Sequence, residues 1–182
     1  MNWHGQTDLP SHQFRCGFCG NIVATDKGFI NATGRKRAYP CPHCDNPSYF
    51  DENGNQFPGV APGNDVKHLP KELEAIYIEA RHCVSVNAFT ASVLACRKML
   101  MHIAVEQKAD PGKAFIYYVE FLANNGYVPP NGKGWVDYIR KKGNEATHEI
   151  VLMEKNDALK LISFAEMLPK FIYEFPAQVP AP

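Results

Sequence analysis

GWVDYIRKKGNEATHEI, residues 134–150, carries the pattern on which the reading of this chain turns. Wound as one helix at about 100° per residue, the stretch separates into two faces. Trp135, Ile139, Gly143, Ala146 and Ile150 fall on one side, with the stem of Lys142 among them. Arg140, Asn144 and His148 recur at i, i+4 and i+8 on the other, flanked by Asp137 and Lys141. This division predicts an amphipathic helix that buries one side against neighbouring helices. The polar row joins a guanidinium, an amide and an imidazole, which together can hold a phosphate and move a proton. The same row can equally be solvated surface.

Helical patterns continue on both sides of this stretch. Pro70 suits a first helical position, and KELEAIYIEARHCV follows with Leu73, Ile76, Tyr77 and Ala80 on one face. Asn87 is expected to cap the next helix, whose apolar face is Phe89, Val93, Cys96, Leu100 and Ile103. Asp110-Pro111-Gly112 breaks the pattern, and a third helix, KAFIYYVEFLANN, ends at Gly126. The last helix starts near Asn156-Asp157; Pro169 either kinks it or opens a further short helix, KFIYEF. Strand-like alternation is missing from this region. The fold class is therefore mainly α: a bundle of four to five helices over residues 70–175, with a tail at 176–182.

A second arginine–histidine string runs from Arg97 to His102. Five helical residues set those side chains about 140° apart, too far around to share a site. Arg97 is read as structural, pairing with a carboxylate such as Glu79. Cys83 and Cys96 are read as small buried hydrophobes.

The N-terminal residues 1–50 have a different character. FRCGFCGN and YPCPHCDN present Cys16, Cys19, Cys41 and Cys44 as two C-x2-C pairs separated by 21 residues. Tetrahedral zinc takes four thiolates, and each tight C-x2-C turn supplies two. Gly20 and Asp45-Asn46 follow the pairs and tolerate the left-handed backbone such turns use. The intervening sequence reads as short strands with turns at Asp26-Lys27-Gly28 and Ala32-Thr33-Gly34. A small β zinc ribbon is expected, and its zinc is structural because a closed four-cysteine site leaves no open coordination position. So small a module draws its folding energy from the metal. His43 is read as a solvent-facing residue of the second turn, and His4 and His12 lack ligand spacing. Arg35, Lys36 and Arg37, with Tyr39, Phe14 and Arg15 nearby, mix cations and aromatics that can pair phosphates and stack bases, or simply decorate a hairpin. Residues 51–69, rich in Gly, Pro and Asn, read as an extended linker.

Composition bounds the partners. The chain has 182 residues, 45% of them hydrophobic, and zero net charge. A core is feasible, and nucleic-acid binding must come from a local patch rather than a global field. No apolar run approaches the about 20 residues of a membrane span, and the N-terminus lacks a signal pattern. A cytoplasmic protein is expected, in keeping with cysteines paired for metal.

Residues 70–175 resemble a bacterial family of domains of unknown function often found beside restriction and anti-phage modules. The likeness rests on YIEAR, ACRKML and the GNEATHE block. That family is in turn similar to the HEPN superfamily, the higher eukaryotes and prokaryotes nucleotide-binding domains. The resemblance implies a helical bundle, usually a homodimer, in a superfamily rich in metal-independent ribonucleases. Its catalytic motif is an arginine, commonly followed by a small polar residue, with a histidine four to six residues on. Asn144 takes the polar position and His148 the histidine, but Gly143 stands at the arginine position. Arg140, one turn before Asn144 on the same face, is the nearest substitute.

Three functional readings remain open. In the first, the protein is a zinc-binding adaptor or sensor whose ribbon (Arg35, Lys36, Arg37) and helix face (Lys141 beside a degenerate HEPN-like site) contact RNA, DNA or a nucleotide. In the second, it is a metal-independent endoribonuclease: His148 moves the proton, Asn144 orients and Arg140 neutralises phosphorane charge. In the third, it is a protein–protein interaction module.

Overall fold

The computed structural model describes residues 3–129, 131–148 and 152–179, with the side chains of 133 and 143–148 outside the description. The chain forms two compact units, Met1–Ala61 and Pro62–Pro182. The first holds an antiparallel sheet and the second is helical, so the secondary structure of the whole is mixed rather than purely α.

The first unit is a five-stranded meander in the order β1 (Thr7–Arg15), β2 (Ile22–Ile30), β3 (Arg37–Pro40), β4 (Pro47–Phe50) and β5 (Gln56–Phe57). Strand β5 lies in the Gly- and Pro-rich stretch read as linker, where Tyr49 of β4 pairs with Phe57. One unassigned stretch proves to be a strand, and one expectation needs correction. Residues 7–15, unassigned from sequence, form a nine-residue strand. Asp26-Lys27-Gly28 is no turn but the interior of β2, with Gly28 opposite Thr7. The glycine is there for clearance: a Cβ on Gly28 would lie 2.6 Å from the Ala38 carbonyl oxygen of the neighbouring strand.

The turn at the next glycine forms where sequence places it. Gly34 has φ +74°, and Asn31 Oδ1 accepts the backbone N–H groups of Arg35 and Lys36 at 3.0 and 2.9 Å. The small core of the unit is Phe14, Cys16, Tyr39, Cys41 and Phe50, joined by a half-buried His12 stacked on Tyr39. Gly17, inside the first cysteine turn, lies against the chain that follows β5. A Cβ there would fall 2.3 Å from the Pro58 carbonyl oxygen and 2.6 Å from that of Gly59.

The second unit contains α1 (Lys71–Ser85), α2 (Phe89–Glu106), α3 (Phe115–Asn124), α4 (Lys133–His148) and α5 (Lys155–Pro169), then a π-helical turn (Lys170–Glu174) and α6 (Phe175–Gln178). Helix α2 is the centre and packs on α1, α3, α4 and α5. Its buried residues Ser92, Val93, Ala95, Cys96, Met99, Leu100, Ile103 and Ala104 wrap much of its circumference, as a helix with neighbours on several sides requires. Against it α1 turns Leu73, Tyr77, Ala80 and Val84, and α5 turns Ala158, Leu161, Ile162 and Ala165. Helix α5 runs through Pro169 and passes into the π turn, so the proline marks a change of helical pitch.

Asn87 does not cap α2. Its φ of +63° places it just beyond α1, where its N–H reaches the Val84 carbonyl at 3.0 Å and the Ala88 N–H reaches Cys83 at 2.8 Å. That pair of bonds is a Schellman ending, with asparagine in the left-handed position. Lys108 after α2 and Gly126 after α3 repeat the arrangement. Arg81 straps the incoming segment to the bundle, donating to the Pro62 and Gly63 carbonyls and pairing with Asp65 at 2.6 Å. Glu166 holds the same segment through the backbone and side-chain nitrogens of Asn64. Among the described residues, no helix is long and apolar enough to cross a membrane.

Candidate functional sites: a four-cysteine centre and two cationic surfaces

The two C-x2-C turns are built alike. In the first, the Cys16 N–H donates to the Asn21 carbonyl and the Gly20 N–H to the Cys16 carbonyl, both at 2.9 Å; Gly20 has φ +71°. In the second, Cys41 and Asn46, Asp45 and Cys41 repeat the two bonds at 2.9 Å, and Asp45 has φ +62°. The left-handed positions expected after each pair are thus occupied. Side chains repeat the symmetry: Asn21 Nδ2 lies 3.6 Å from Cys19 Sγ, and Asn46 Nδ2 lies 3.5 Å from Cys44 Sγ. Sequence reading gave Asn46 only a backbone role and did not single out Asn21, although the pattern C-x-x-C-x-N is written twice.

All four thiols converge. Their sulfurs lie within 4.8 Å of one another, with Cys16–Cys44 at 3.7 Å and Cys19–Cys41 at 3.8 Å. Zinc–sulfur bonds of about 2.3 Å in a tetrahedron put the sulfurs about 3.8 Å apart, so the donor set fits zinc. It does not fit disulfides, whose sulfurs sit at about 2.05 Å; all six cysteines are free thiols. Cys16, Cys19, Cys41 and Cys44 could therefore hold a zinc ion, which would cross-link the two turns. The protein surroundings already split the thiols. Burial pushes Cys16 up to about 12. For Cys44 burial acts the same way, but the Asn46 backbone N–H and side-chain amide, with neighbouring thiols, outweigh it and bring the group down to about 7. Exposed His43 lies outside the sulfur cluster, as does His12.

Arg35, Lys36 and Arg37 cluster at and beside the β2–β3 tip. Among the described residues none of the three makes an ion pair. Arg35 and Lys36 are exposed; Arg37, on β3, is half-buried. Arg35 and Arg37 line a cleft of about 350 Å³ together with His12, Tyr39, Phe50 and Asp51.

The second cationic surface is α4. Ile139 is fully buried and Val136 nearly so, while Trp135, expected on the buried side, is 38% exposed and stacks at its edge on Phe164 at 6.1 Å. The buried face is thus rotated slightly toward Val136. Arg140 sits between two carboxylates, Glu120 of α3 and Asp137 one turn back, each at 3.6 Å. A cleft of about 460 Å³ at this point is lined by Glu120, Asn124, Val136, Asp137 and Arg140. Lys141 is exposed on the same helix. Lys142 turns the other way, to Asp157 of α5 at 3.4 Å. The backbone of α4 is helical through His148, which keeps Arg140, Asn144 and His148 in helical register. The side chains of Asn144 and His148, and Ile150 as a whole, lie outside the described residues.

The two arginines of the other quoted blocks have packing roles. Arg81 of YIEAR straps residues 62–65, and Arg97 of ACRKML lies over the Phe115 ring at 4.6 Å. His102 pairs with Glu106 at 3.3 Å on an unbroken α2, so Arg97 and His102 form no common site.

Fold and donor set define a class: a small β module with a zinc-ribbon-like four-cysteine cluster, followed by a helical domain. The chain belongs to the family described as Domain of unknown function (DUF4145), which matches residues 78–181 and so leaves the cysteine module outside the match. No curated protein and no solved structure matches the chain.

Proposed function

We propose that this protein is a zinc-binding adaptor or sensor that contacts a nucleic acid or nucleotide through its cysteine module. Its helical domain, on this reading, is a degenerate HEPN-like bundle. The observation that carries the reading is a contrast between its two sets of cations. At the ribbon hairpin three cations lie together without ion pairs among the described residues. On α4 the arginine that a phosphate would need is held between Glu120 and Asp137. A phosphate approaching Arg140 competes with two carboxylates already paired to it, whereas near Arg35–Arg37 the carboxylates Asp51 and Glu52 make no ion pair with the cations among the described residues.

The same contrast weighs against the endoribonuclease reading, which asks Arg140 to neutralise a phosphorane beside His148. A homodimer through the bundle and a setting beside restriction or anti-phage modules belong to the proposal as well; both rest on the resemblance of residues 70–175. The test is a gel-shift series with RNA and with DNA from low to high salt. Binding should weaken steeply with salt and fall when Arg35, Lys36 and Arg37 are together changed to Gln. If neither polymer binds at low salt, the reading fails and the protein-partner alternative takes its place.

A further inference from the structure

We propose that the cleft between the β2–β3 tip and the β4–β5 turn is a seat for the phosphate of one nucleotide unit, with Arg37 as its fixed donor. The inference rests on the nucleic-acid reading above and names the subsite within it. Arg37 supplies the first reason. Its Nε is buried and has no hydrogen-bond partner. A buried charged donor left unsatisfied carries a desolvation cost, and Arg37 lines the cleft, where an acceptor can approach the rest of its guanidinium. The guanidinium also has no ion pair among the described residues, so its fork is open to two oxygens of one anion.

The surroundings narrow the acceptor. The cleft, at about 350 Å³, is the size of a small-ligand pocket rather than a surface dimple. Its second cation is Arg35, whose backbone N–H is pinned by Asn31 so that the tip is preformed. Tyr39 and Phe50, buried in the core of the unit, and half-buried His12 make a rigid floor, with His12 stacked on Tyr39 at 5.1 Å and edge-on to Phe50 at 4.5 Å. Two guanidiniums lining one cleft match the oxygens of a phosphate, and the nucleotide that carries it follows from the nucleic-acid reading.

Two carboxylates also line the cleft, and neither closes it. Asp51 spends both oxygens on its own turn: Oδ1 accepts the Asn53 and Asn55 N–H groups at 2.9 and 2.8 Å, and Oδ2 accepts Asn55 Nδ2 at 2.8 Å. Those bonds, the Asn55 amide first, hold its carboxyl below the usual range, so it stays a satisfied anion. Glu52 is exposed at the rim, where solvent and salt screen it.

The experiment is an NMR titration of zinc-loaded, full-length protein with inorganic phosphate, adenosine, adenosine monophosphate and a short single-stranded RNA. The monophosphate should shift the amides of Arg37, Tyr39 and Phe50, and adenosine should leave them in place. Arg37→Gln should weaken monophosphate binding by about tenfold or more, the loss expected for one charged hydrogen bond. Zinc content and the remaining sheet amides report whether that variant is folded. Arg35→Gln, at the exposed tip, gives an independent several-fold loss should it not be. A monophosphate that moves no cleft amide overturns the proposal, as does equal affinity in wild type and folded Arg37→Gln. If the RNA still binds in those cases, only the subsite falls; if the RNA fails too, the nucleic-acid reading falls with it.

Discussion

Asn46 shows what one side chain adds to a metal site. Its amide nitrogen lies 3.5 Å from the Cys44 sulfur, and Asn21 stands likewise 3.6 Å from Cys19. A donor on a sulfur stabilises the thiolate that zinc needs and fixes its direction. Asn46→Ala should therefore weaken zinc binding by about 10- to 100-fold, the usual scale for losing such a partner. Competition against a chromophoric chelator measures this, and an unchanged affinity would remove the asparagine from the site. The four cysteines were legible because their spacing alone specifies the chemistry. The asparagines were not, because an asparagine after a tight turn has an ordinary conformational reason to be there. Arg37 was legible only as part of a basic run; its orphaned nitrogen depends on neighbours that pairing with β2 and β4 brings in.

At the level of elements, Asp157 ties the start of α5 to α4. Its carboxylate accepts the Tyr138 hydroxyl at 2.5 Å and the Glu154 N–H at 3.3 Å, and pairs with Lys142 at 3.4 Å. Burial works to raise its pKa, but Tyr138, the Glu154 N–H and Lys142 together outweigh burial and lower it. A carboxyl whose folded pKa is depressed stabilises the fold fully above its unfolded value, about 3.9 for aspartate, and loses that contribution as pH falls through the folded value. Asp157→Asn should cost about 1–3 kcal/mol at neutral pH, a cost that shrinks in acid below about pH 4. Urea unfolding at neutral and acidic pH checks both; a cost independent of pH would remove the charge from the account.

The helices themselves were readable from apolar period and breakers: Gly126 follows α3, and Asp110-Pro111-Gly112 falls between α2 and α3. Their finer features were not. Asn87 serves equally well before a helix or after one, and only its positive φ decides. Gly28 looked like a turn because the approach of Ala38 depends on a strand that arrives later in the chain.

For the whole molecule, two units imply two stabilities. The first, Met1–Ala61, has a core of five buried side chains, two of them cysteines of the cluster. The second has a continuous core drawn from all five longer helices. Stripping zinc with a strong chelator should unfold the first while the far-ultraviolet helix signal persists. Trp3 is a built-in reporter, since its indole N–H donates to the backbone and side-chain oxygens of Asp45 at 3.0 Å. In a Trp135→Phe background its emission should shift to the red on chelation, and concerted loss of the helix signal would overturn the picture of separate stabilities. Gly17 extends the consequence to the way the chain leaves the sheet. With the carbonyls of Pro58 and Gly59 lying where a side chain on Gly17 would be, the departing backbone uses the first cysteine turn as its bearing surface. An ion held by Cys16 and Cys19 would therefore brace Pro58 and Gly59 as well as the sheet, and stripping it should loosen both.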